Sequence, residues 1–141
     1  MTQTKISTSL EAIVAHTIFR LRRDLVTTSY RDRLAIELLA DRSTFAFQLL
    51  EMLVGESGIN VILRRVGSRI AEHPAQEEDT PEGHYREIFD RIGGALDTPC
   101  LSTVHILHFI ASDSDTAIAA ELRNYGILPE DIDVALKRLT T

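Results

Sequence analysis

Two histidines one helical turn apart, His105 and His108 in "TVHILHFIA", are the residues of this chain best spaced for chemistry. Side chains three apart on a helix share a face, so the pair would offer two imidazole nitrogens to a divalent metal. Zinc needs at least one more ligand, and His16, Asp113 and Asp115 are candidates that no spacing singles out. On a helix advancing about 100 degrees per residue, Ile106, Leu107, Ile110 and Ala111 form the apolar stripe, and both histidines lie largely off it. A packing helix accounts for the segment better than a metal site does. His105 is expected to be partly buried near the helix start and His108 exposed, and no metal ligand is assigned.

The lone cysteine, Cys100, follows Pro99 and precedes His105, which raises a cysteine–histidine pair. No third, orienting group can be assigned from spacing, a small apolar packing role suits a lone cysteine better, and Ser102 reads as a helix cap. Acidic residues cluster in one charged stretch and in first helical turns, where solvation and the helix dipole explain them without acid–base catalysis. Glycines stand singly except for Gly93-Gly94, and no G-x-x-x-x-G-K-[ST] phosphate loop occurs. Neither a catalytic nor a cofactor-binding residue is therefore assigned, and the chain is not read as an enzyme.

Helices must position these residues. Thr8-Ser-Leu-Glu11 has capping-box form, and Leu10, Ile13, Val14, Ile18, Leu21 and Leu25 follow at helical spacing. "RDRLAIELLA" predicts a second helix, "TFAFQLLEMLV" a third that Ser43 caps and Gly55 stops, and "INVILRRVGSRIAE" a fourth. After "HPAQEEDTP", a linker at 73–81, Pro81 suits the first turn of a helix carrying Tyr85, Ile88, Phe89, Ile92 and Leu96 on one face. "TVHILHFIA", "DTAIAAELRNYG" and "PEDIDVALKRL" complete eight helices, and alternating strand patterns are absent, so the fold class is all-α.

The chain of 141 residues suits a single domain with a sizeable core. One cysteine allows no internal disulfide; no continuous secretory core or membrane-length apolar stretch is read, so a cytoplasmic setting without membrane contact is expected. Net charge is -6 and falls mainly on the second half, which disfavours nucleic acid. The basic patch Arg20, Arg22, Arg23, Arg31 and Arg33 reads as a solvated helix face or a docking surface for an acidic partner.

The two halves align. "RLAIELLADRSTFAFQLLEMLVGESGI" set against "VHILHFIASDSDTAIAAELRNYGI" places Leu34 opposite His105, Leu38 opposite Phe109, Ala40 opposite Ala111 and Ala46 opposite Ala117, with Gly58 opposite Gly126 after a short insertion. Repeat one then spans about 8–72 and repeat two about 82–139. "TVHILHFIA", "TAIAAELRNYGI" and "PEDIDVALKRL" resemble the amino-terminal repeat of Clp/Hsp100 unfoldases, in which a "TEHLLLALL"-type helix precedes a short alanine-rich helix ending in L-x-x-x-G-I/V. That resemblance implies two pseudo-twofold-related four-helix repeats acting as a non-catalytic recognition domain. It implies unfolded or tagged substrate proteins and adaptor proteins as partners, beside an AAA+ ATPase ring to which ATP and magnesium belong. Arg33 and Val104 stand where the family carries glutamates, some of which hold phosphorylated arginine, so that ligand is not expected.

The apolar excess of "TFAFQLLEML" is first a core helix; its alternative is that Phe45 or Phe47 borders a peptide or adaptor groove, with Thr8, Arg33 and Thr103 completing the candidate set. A free-standing double-repeat accessory protein docking on such a ring is the alternative within this class. A helical metal-dependent enzyme is the alternative outside it.

Overall fold

Segments that precede two helices are pinned to each other first. Ser7 N–H donates to the Leu101 carbonyl at 2.8 Å and Leu101 N–H to the Lys5 carbonyl at 2.9 Å, an isolated parallel bridge that holds both stretches extended. The computed structural model describes residues 5–24, 29–72, 77, 79–96 and 100–140; Leu25, Pro99 and most of the 73–81 linker lie outside the described residues. Among the described residues the chain forms seven helices: α1 Thr8–Asp24, α2 Tyr30–Ala40, α3 Phe45–Glu72, α4 Pro81–Leu96, α5 Thr103–Ala111, α6 Ala117–Asn124 and α7 Pro129–Thr140. The fold is all-helical.

The bridge moves the first cap. Because Ser7 is already held extended, its hydroxyl accepts Leu10 N–H at 3.2 Å and its carbonyl accepts Glu11 N–H at 2.9 Å, so Ser7 caps α1 and Thr8 is its first helical residue. Seven elements rather than eight arise at Gly55: the third and fourth expected helices run into one another as α3, broken by φ 76° and ψ 167° at that glycine. Such backbone lies in a region that only glycine reaches without strain.

Both halves turn the same corner. After α2, Asp41 Oδ1 accepts Ser43 N–H at 2.9 Å, while Thr44 Oγ1 donates to the Leu38 carbonyl at 2.9 Å and accepts Phe47 N–H at 3.0 Å to open α3. After α5, Asp113 Oδ1 accepts Asp115 N–H at 3.1 Å, while Thr116 Oγ1 donates to the Ile110 carbonyl at 3.2 Å and accepts Ala119 N–H at 3.2 Å to open α6. These bonds pair Thr44 with Thr116, one residue out of step with the alignment of Ala46 to Ala117. Thr44, not Ser43, is therefore the cap, since the serine hydroxyl is turned back to Asp41 Oδ1 at 2.6 Å. At the far ends Gly55 and Gly126 are the two glycines with positive φ.

Each half also caps a helix of the other. Thr103 Oγ1 in the first turn of α5 accepts Ala46 N–H of α3 at 3.0 Å. The buried Asp32 carboxylate in the first turn of α2 accepts Ala117 and Ile118 N–H of α6, both at 3.0 Å. Side chains of one half thus occupy the otherwise unpaired donors of the other's helix start.

One core joins the halves. Leu34 and Leu38 of α2, Leu49, Leu50, Ile59 and Ile62 of α3, Ile106, Leu107 and Ile110 of α5, Ile118 and Leu122 of α6 and Ile132 of α7 belong to a single buried cluster. Each full burial of such a side chain contributes about 2 kcal/mol. By length and hydropathy alone α3 resembles a membrane span, but it is broken at Gly55 and packs against α2, α5, α6 and α7.

Candidate functional site

Two apolar stripes run along α1, and the core takes one. Leu10, Ile13 and Thr17 point inward, the Thr17 hydroxyl donating to the Ile13 carbonyl at 2.7 Å. Val14 and Ile18, four apart on the flank beside exposed Ala15, stay half-buried. Opposite them α4 presents Tyr85 and Phe89, whose rings stack with centroids 6.4 Å apart. Between the two helices lies a groove of about 820 Å³ lined by Val14, Ala15, Ile18, Tyr85 and Phe89, with Ile6, Cys100 and the charged side chains Lys5, Glu11, Glu82 and Arg86 also bordering it.

The groove continues along α1. A second hollow of about 380 Å³ shares Ala15 and Ile18 with the first and reaches Phe19, which is 60% exposed. The Arg23 guanidinium lies 5.8 Å from the Phe19 ring centroid, within cation–π range. An ion pair of Arg22 with Glu82 ties α1 to α4 at this end. Tyr85 forms the groove's firmest wall: burial, then Tyr30 and Glu77, push its phenol far above the ordinary range, so its hydroxyl stays protonated and donates to the Tyr30 carbonyl at 2.7 Å.

The residues singled out from sequence fall elsewhere. Phe47 is buried in the core and Phe45 is 36% exposed beside it, Thr103 is buried where it accepts a first-turn amide of α3, Thr8 is exposed at the start of α1, and Arg33 is half-buried 3.4 Å from Glu37. Thr103 meets the helix that carries Phe45 and Phe47; none of the five lines the α1–α4 groove. The histidines also diverge. His105 Nδ1 accepts Ser102 N–H at 3.0 Å as the returning member of a capping box, His108 Nε2 lies 3.4 Å from Asp133, and His16 Nε2 accepts the Arg20 guanidinium at 3.0 Å. Asp113 pairs with Arg31, and Asp115 turns its amide back to Asp113.

Four arginines of the basic patch stand beside carboxylates: Arg20 and Arg33 at Glu37, Arg22 at Glu82 and Arg31 at Asp113. Glu37, buried and faced by Arg20, Arg33 and His16, is the hub of that cluster. The groove was not legible in the sequence, where Val14 and Ile18 fall in one apolar series with Leu10 and Ile13. Compared with protein-family models, curated proteins and solved structures, the chain matches none.

Proposed function

We propose that this chain is the recognition module of a Clp/Hsp100-type protein-unfolding machine. It captures an apolar segment of an unfolded or tagged client, or of an adaptor, and passes it to an AAA+ ring whose own domains bind ATP and magnesium. The observation that carries this reading is the α1–α4 groove, lined by apolar side chains of both helices with charged neighbours among them and extended along α1 to Phe19. Grooves of this make-up receive amphipathic or extended segments, the apolar side chains giving affinity and the rim orienting the chain. Two further features support the family reading, the resemblance of α5 to α7 to the Clp amino-terminal repeat and the corner that recurs at Thr44 and Thr116. Helix starts capped across the two halves by Thr103 and Asp32 fit a pair of pseudo-twofold-related repeats.

Binding in this groove is weak and reversible by construction. Burying about 200 Å² of apolar client surface contributes roughly 5 kcal/mol, from which the ordering of a flexible segment must be subtracted. That balance suits a module that must release what it holds. Ala15→Arg tests the reading, because Ala15 is exposed, lines both hollows and leaves the core untouched. Fluorescence anisotropy of a permanently unfolded protein, without nucleotide, should show saturable binding that the substitution weakens at least about tenfold, equivalent to roughly 1.4 kcal/mol. Equal binding by both proteins, at unchanged helix content, would contradict the reading.

A further inference from the structure

Where the chain enters α4, three potential metal ligands converge. His84 Nδ1 lies 3.0 Å from Asp79 Oδ2 and 4.0 Å from Glu77 Oε2, and one donor atom from each residue falls within 4.8 Å of the other two. Zinc holds nitrogen and oxygen donors at about 2.0–2.2 Å in a tetrahedron, which sets neighbouring donors roughly 3.3 Å apart. His84 and Asp79 stand close to that spacing, Glu77 lies farther out but within 4.8 Å of both, and a fourth position remains for water.

The surroundings hold the ligands in place. Tyr30 N–H reaches Glu77 Oε1 at 3.4 Å, and the Tyr30 hydroxyl donates to the Asp79 carbonyl at 2.8 Å. The rings of Tyr30 and Tyr85 meet the imidazole edge-on, with centroids at 5.3 Å and 6.0 Å. His84 Nε2 is buried and has no hydrogen-bond partner, so the nitrogen with polar neighbours is the one that faces the carboxylates. Two carboxylates gathered about an imidazole, with ring packing behind it, provide both the donors and the charge that a divalent cation needs.

We infer that Glu77, Asp79 and His84 form a binding site for one divalent transition-metal cation of the zinc class. This departs from the reading of the sequence, which assigns no metal and locates the spacing of interest at His105 and His108. An imidazole donor favours zinc over magnesium or calcium, which take oxygen. Thr80 lies between the ligands and accepts Gly83 N–H at 3.1 Å, and Glu82 and Gly83 line the groove, so a bound cation fixes the entry to α4 at the groove's edge. The inference is independent of what the groove binds.

Zinc titrated by calorimetry into the chelator-treated 141-residue chain should bind at one equivalent, with calcium and magnesium giving no comparable heat. His84→Ala, and separately the double variant Glu77→Gln/Asp79→Asn, which leaves the ring packing intact, should each lower zinc affinity at least about tenfold, whereas His108→Ala should not. Cobalt in place of zinc should give the visible absorption of a four-coordinate site in the parent chain, and the double variant should lose it. Absence of zinc binding, or affinity unchanged in the double variant, would overturn the inference.

Discussion

His105 shows how much one side chain can settle. Its Nδ1 accepts the Ser102 amide, a role that requires the bare lone pair of the neutral ring. Burial, and after it the neighbouring His108, hold its pKa below the ordinary 6.5. The unfolded chain therefore binds a proton more readily, and stability should fall as pH drops through 6.5 toward the folded-state value. His105→Gln keeps an acceptor at the third helical position, as in a standard capping box, and removes the titration. Thermal melts from about pH 7 to about pH 5 should show a shallower decline for the variant than for the parent, and parallel declines would refute the assignment. A second residue-level test concerns Thr103. Replacing it with valine leaves Ala46 N–H without its 3.0 Å partner inside the protein and should cost about 1–2 kcal/mol in denaturant unfolding. The place of His105 near the helix start was legible in the sequence, but its capping role was not, because the motif is read by glutamate or glutamine at that position.

At the scale of elements, apolar periodicity gave away nearly every helix, since a stripe at spacings of three and four must be buried somewhere. Boundaries and register were less legible. Ser7 replaced Thr8 as a cap because a bridge to Leu101, remote in sequence, had already fixed its backbone; Thr44 replaced Ser43 because Asp41 captured the serine. The corner that both halves share runs through the hydroxyls of Thr44 and Thr116, one residue out of step with an alignment of Ala46 to Ala117. Two glycines of α3 make opposite predictions. Gly55→Ala has open space but φ 76°, and should destabilise by about 1–3 kcal/mol. Gly67→Ala has open space and no positive φ, and should stabilise by roughly 0.5–1 kcal/mol. Denaturant midpoints moving in the same direction would count against the break assigned at Gly55.

For the whole molecule, the groove is what two helices leave between them, so no pattern within one segment could disclose it. Val14 and Ile18 read as part of the one apolar series of α1 and Tyr85 and Phe89 as core residues of α4, and packing alone set the two pairs face to face. Glu77 and Asp79 were likewise read as a solvated charge run, because nothing in their spacing tells that His84 turns back to meet them. A recognition role makes a direct demand on amide chemical-shift mapping of the labelled chain during titration with an unfolded client protein. Shifts should concentrate at Val14, Ala15, Ile18, Phe19, Arg86 and Phe89 along the α1–α4 groove. Shifts centred instead on α6 and α7, or none at saturating client, would contradict it.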